Sequence, residues 1–87
     1  MLEMQLIFIV NGEDVPVTTS LLAPLSAVCA RALQLSHNTG RPLHEWEIRN
    51  ERGALIDATK TVNALGLEPN TRFFLTLPVG LGGALAA

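Results

Sequence analysis

The chain has 87 residues, with six Lys or Arg against eight Asp or Glu and a formal net charge of −2. That length holds one domain. A scattered, slightly acidic balance gives no electrostatic footprint for a nucleic-acid backbone and no basic run for a membrane surface.

Residues 2–10 alternate as a strand, with Leu2, Met4, Leu6, Phe8 and Val10 on one face and Glu3, Gln5, Ile7 and Ile9 on the other. Asn11-Gly12 follows, a dipeptide that tolerates positive φ at both positions and so closes two-residue hairpins. Residues 14–18 return as a second strand. Pro16 marks it as an edge, because proline has no N–H to give to a ladder. The period then changes. Leu25, Val28, Cys29, Ala32 and Leu33 recur at helical spacing, which predicts a helix over 24–36. Pro24 fits its first turn, and Asn38 or Gly40 its left-handed stop.

Arg41-Pro42 restarts an extended chain, and His44, Trp46 and Ile48 alternate with Glu45 and Glu47 as a third strand. A turn at 50–53 leads into a short fourth strand at 54–56. Residues 61–65 read as one helical turn stopped by Gly66, and 68–71 as another turn. Residues 72–77 form the last strand, with Phe73, Leu75 and Leu77 on one face, and Pro78 ends it. A domain at 1–78 and a flexible tail at 79–87 are expected. The order implies an α+β fold: a mixed sheet of four to five strands packed on one central α-helix, since neither layer buries its apolar side alone. The last strand is expected in the middle of the sheet, parallel to the first.

This order, with a final strand running into Gly80-Leu81-Gly82-Gly83, resembles the ubiquitin-like β-grasp family. The resemblance is carried by Met4-Gln5-Leu6-Ile7-Phe8-Ile9-Val10, Trp46-Glu47-Ile48-Arg49-Asn50-Glu51-Arg52-Gly53, Lys60-Thr61-Val62-Asn63-Ala64-Leu65-Gly66 and the glycines. It is greatest to the bacterial ubiquitin-like modifiers encoded beside activating-enzyme, conjugating-enzyme and deubiquitinase-like genes. The resemblance implies a protein modifier and not an enzyme, with no cofactor. A deubiquitinase-like metallopeptidase would cut between Gly83 and Ala84 and remove 84–87 as a propeptide. An activating enzyme would adenylate the Gly83 carboxylate, and the product would be joined to target proteins by an isopeptide or N-terminal bond. Gly82 and Gly83 suit that chemistry because a tail without side chains threads a narrow catalytic channel. The sequence departs from eukaryotic ubiquitin in lacking arginines before the glycines and in having Lys60 as its single lysine. Lys60 and the α-amine of Met1 are candidate acceptors of a chain linkage. A sulfur carrier ending in a thiocarboxylate, or a non-conjugated β-grasp binding module, are the alternative readings. Glycines at a chain end also serve a merely mobile terminus.

Ile7 and Ile9 lie opposite the presumed core set, and Phe74 joins them. Unless the phase is shifted and they point inward, they make an apolar patch for a partner, as this face does in the family, or for a second copy. Nearly half of the chain, 48%, is hydrophobic against only 16% charged, which leaves apolar side chains for such a surface. Trp46 is expected in the core with its indole N–H bonded. Cys29 reads as a small core residue, and a lone cysteine supports no disulfide or multi-thiolate zinc site. His37 and His44 read as surface residues without metal-ligand spacing, and Glu45 and Glu47 as a solvated strand face. The N-terminus lacks a basic region before its apolar run, and no apolar stretch approaches roughly 20 residues. A cytoplasmic location is expected.

Overall fold

A computed structural model of the chain describes residues 3–77. Four strands, β1 (Glu3–Val10), β2 (Glu13–Ser20), β3 (Glu47–Arg49) and β4 (Arg72–Thr76), form one mixed sheet in the order β2-β1-β4-β3. One helix, α1 (Leu25–Leu35), covers one face. β1 and β4 run parallel in the middle, and both outer pairings are antiparallel. This is the ubiquitin-like β-grasp arrangement of an α+β domain. The tail expected at 79–87 lies outside the described residues.

The alternation read from β1 sets the layers. Leu6, Phe8 and Val10 are fully buried toward α1, while Met4 is half-buried at the margin. Val15 and Val17 extend this face on β2, and Phe73 and Leu75 on β4. The helix answers with Leu25, Val28, Cys29, Ala32 and Leu33, the set its spacing predicts. Phe8 lies opposite Phe73 in the parallel register, their ring centroids 5.6 Å apart and stacked at 25°. Asn11 (φ 52°) and Gly12 (φ 81°) close the first hairpin with both residues left-handed, as its two-residue length requires. Pro16 is exposed on the edge strand β2.

The helix ends depart from expectation in instructive ways. Pro24 precedes the helix in an extended conformation (φ −68°, ψ 145°) and is not in its first turn. It has no side chain to cap the free N–H groups. Distant backbone does so instead: Leu25 N donates to Lys60 O (2.9 Å) and Ser26 N to Ala58 O (2.8 Å). At the other end neither Asn38 nor Gly40 takes the left-handed position; His37 does (φ 62°). His37 N donates to Gln34 O and Asn38 N to Leu33 O, the paired bonds of a Schellman stop. Asn38 is needed elsewhere, since its Nδ2 donates to Ser36 O and its Oδ1 accepts from Asn11 Nδ2 (2.9 Å), tying the helix end to the first hairpin.

The third strand is shorter than its alternation suggests. Residues Leu43–Glu45 form a 3-10 turn, with Trp46 N donating to Leu43 O (2.9 Å), and only Glu47–Arg49 pair with β4. Residues 54–56 are not a strand. They make a single bridge, Leu55 to Arg49, flanked by Asn50 N to Ala54 O and Ile56 N to Ile48 O. The helical turn expected at 61–65 is a hydrogen-bonded turn whose backbone pairs with 21–23, and Val62 is fully buried from it.

A non-glycine residue in the left-handed region costs about 1–2 kcal/mol. Replacing His37 with Gly should therefore stabilise the domain by about 1 kcal/mol and raise its melting temperature by roughly 4–8 °C, measurable by calorimetry.

Candidate functional site

The sheet face away from α1 is built by the residues that alternate with the core. Along one row across the four strands stand Asp14, Ile9, Phe74 and Arg49, each paired with the next. The adjacent row runs Pro16, Ile7 and Arg72. Ile7, Ile9 and Phe74 are half-buried and contiguous by register, so the three residues singled out in the sequence share one surface on the face opposite the core. Charges bound this apolar centre. Arg72 reaches Asp14 at 3.5 Å on the β2 side, and Arg49 reaches Glu47 at 3.1 Å on the β3 side. Arg49 also donates to Gly53 O at 2.6 Å. These pairs are solvated and contribute little to stability. They place one arginine and one carboxylate on each margin of the surface, and such charges set orientation more than affinity.

β4 ends beside β3, with Thr76 opposite Glu47. The chain leaves the sheet there. Gly82, Gly83 and Ala84, together with Met1, lie outside the described residues. Lys60 is exposed on the loop that caps α1. Asp57, on the same loop, is held below the usual carboxylate range by bonds from the Thr59 hydroxyl and backbone N–H, with the Lys60 charge adding to the effect. Glu45 does not share a strand face with Glu47: it sits in the 3-10 turn and pairs with Arg41 at 3.0 Å. His37 and His44 are exposed. Cys29 is fully buried, and desolvation pushes its thiol up to about 12.

Trp46 corrects an expectation. Its ring is in the core, 8% exposed, yet its Nε1–H is sealed from water and meets no acceptor among the described residues. The same ring walls an apolar cleft of about 600 Å³ between β3, the 3-10 turn and residues 55–58. Sequence reasoning did not find this cleft. Its one visible sign is Leu55, which stands on the rim 62% exposed.

The geometry can be set against known proteins. A family described as Protein of Unknown function (DUF2604) matches residues 2–83. The chain belongs to that family. The chain is also similar to "Uncharacterized protein y4jI" of Sinorhizobium fredii (strain NBRC 101917 / NGR234), 33% identical over 82 residues. That match covers 94% of this chain and 63% of the relative, so the chain spans less than two thirds of the relative's length. Among solved structures it resembles "Caldiarchaeum Subterraneum Ubiquitin" with a TM-score of 0.70 over 90% of this chain and 98% of that one, at 20% identity. At that identity the likeness shows the ubiquitin-like fold alone. No helix among the described residues of this DUF2604 domain is long and apolar enough to cross a membrane.

Two outcomes follow from these placements. Ile7→Asp, on the half-buried face beside Arg72, should cost about 1 kcal/mol or less in urea unfolding, whereas Phe8→Asp should leave no folded protein because it buries an unpaired charge. The thiol of Cys29, at about 12 against an ordinary 9.0, should alkylate about a thousandfold more slowly in the folded domain than in denaturant at mildly alkaline pH, read by mass spectrometry.

Proposed function

We propose that this domain is a ubiquitin-like protein modifier, processed after Gly83 and conjugated to target proteins in a bacterial pathway. One observation carries the reading. β4, the last strand among the described residues, ends at Thr76, while the family match continues past it through Gly80-Leu81-Gly82-Gly83 and stops at residue 83. The family match therefore takes in this segment as well as the core. Its composition suits passage through a narrow channel, since glycine presents backbone and no side chain.

The chemistry runs through the Gly83 carboxylate. A metallopeptidase hydrolyses the Gly83–Ala84 peptide bond and frees that carboxylate. The carboxylate attacks the α-phosphorus of ATP in an activating enzyme, pyrophosphate leaves, and an acyl adenylate forms. An enzyme thiolate displaces AMP to give a thioester, which passes to a conjugating enzyme. An amine of the target then displaces the thiol and forms the amide. This domain supplies the acyl group and the docking surface, and the partner enzymes supply the catalysis. The Ile7, Ile9 and Phe74 face, with its ion-paired margins, is the surface those enzymes would read. Lys60 and the α-amine of Met1 are the amines on which a chain of modifiers would grow. The pathway is placed in the cytoplasm, where ATP and reduced thiols are available.

Gly83→Trp should abolish conjugates on gels when the protein is expressed with its partner enzymes, and the circular dichroism spectrum should not change. Intact mass of the purified wild-type protein should end at Gly83. Conjugates that persist in the variant would overturn the assignment, and a sulfur-for-oxygen mass increment on the terminal glycine would replace it with a sulfur carrier.

A further inference from the structure

We propose that the outer sheet face packs on the same face of a second copy, about a two-fold axis that runs along the strands between β1 and β4 and sets Asp14 of each copy against Arg49 of the other. The order of side chains along one row carries this. Across the four strands the row reads Asp14, Ile9, Phe74, Arg49: a carboxylate, two apolar residues and a guanidinium. Aligned sheets pack face to face about 10 Å apart, with their strands within about 30° of one another. A two-fold axis along the strands turns one sheet over and reverses the row. Asp14 then meets Arg49 of the second copy and Ile9 meets Phe74, each contact occurring twice. The other aligned two-fold axis, across the strands, leaves the row in order. It sets Asp14 on Asp14 and Arg49 on Arg49, like charges at both margins. The charges therefore select one of the two arrangements.

The pairs already present on each copy fit the selected one. Arg72 lies 3.5 Å from Asp14, and Arg49 lies 3.1 Å from Glu47. In the dimer these pairs join end to end as Arg72, Asp14, then Arg49 and Glu47 of the second copy, four charges alternating in sign. Arg49 is anchored from behind by Gly53 O and Glu47. A guanidinium has five N–H donors, so it takes a second carboxylate without releasing the first. Asp14 is 60% exposed and held by Arg72 only at the limit of hydrogen-bond length, so its oxygens remain open to a further donor.

Association through the β2 edge is disfavoured by comparison. Ile7 N donates to Thr71 O, away from β2, so Pro16 opposite it stands where β2 would present an outward N–H. Proline at that place blocks strand addition. The face itself is modest. Eight-residue strands in a four-stranded sheet span at most about 26 by 19 Å, roughly 500 Å² per copy and 1,000 Å² in all. That size fits a weak, concentration-dependent dimer and not an obligate one.

One consequence rests on the modifier reading. The dimer covers the face that the partner enzymes would read, so the monomer is their substrate and self-association limits its supply.

Sedimentation of the isolated chain from micromolar to millimolar concentration should show the average mass rising from one copy toward two. Asp14→Arg and Arg49→Asp should each weaken this by about tenfold or more, since either homodimer opposes like charges at both margins. An equimolar mixture of the two variants should associate like the wild type, because each margin of the mixed dimer again opposes a guanidinium and a carboxylate. With the Asp14→Arg chain isotope-labelled, the unlabelled Arg49→Asp chain should shift the amide resonances of Ile9 and Phe74. A wild-type chain that stays monomeric overturns the proposal. So does an exposed-site Asp14→Arg variant that associates like the wild type, or a mixture no more associated than its parts. No enzyme is present, so failure here leaves the Gly83 conjugation reading standing, and loss of that reading leaves the dimer standing.

Discussion

The parallel pairing of β1 with β4 is the constraint on which the rest of the domain depends. It joins the beginning of the described chain to its end, with Ile7 to Val10 alongside Arg72 to Leu75. Closing so long a loop is costly in entropy before any contact is made. The return comes from the inner face, where Phe8 stacks on Phe73 and both are almost wholly buried. Such an aromatic pair contributes about 0.5–1.5 kcal/mol beyond the area it removes from water. Because side chains alternate along a strand, the same register that brings Phe8 onto Phe73 brings Ile9 onto Phe74 on the opposite face. Core and candidate docking surface are therefore one decision of the backbone. The pairing also fixes where the chain leaves the sheet, beside the start of β3.

The helix lies over this pair and is held at both ends by groups far away in sequence. Its first N–H groups are satisfied by the carbonyls of Lys60 and Ala58, which lets a proline stand at the cap position without loss. Its last turn closes on His37 and Asn38, and Asn38 is fastened to the first hairpin through Asn11. Loop 57–63 thus serves the helix before it serves anything else, and Lys60 is displayed on it as a by-product. Cys29, desolvated in the middle of the helix face, is a packing residue whose thiol stays protonated.

On the β3 side the packing is less complete. The 3-10 turn after Pro42 and the early departure of the chain after Ile56 leave the edge of β3 partly uncovered, and Trp46 is buried there with a donor that meets no acceptor among the described residues.

The layers were legible in the chain before any contact was known. Period-two alternation in 2–10 and 72–77, period-3.6 spacing from Leu25 to Leu33, and Asn11-Gly12 between two strands left one reasonable architecture, and the shared face of Ile7, Ile9 and Phe74 followed from it. These are properties of a residue and its near neighbours, and a side chain's direction is set locally by the backbone that carries it. The features that were not legible turn on whether a given N–H finds an acceptor. His44 and Glu45 alternate with their neighbours like a strand yet sit in the 3-10 turn Leu43–Glu45, residues 54–56 read as a strand yet make one bridge, and the indole of Trp46 is buried without a partner among the described residues. No spacing in the chain encodes these outcomes, because each depends on which distant carbonyl the closed fold brings within about 3 Å.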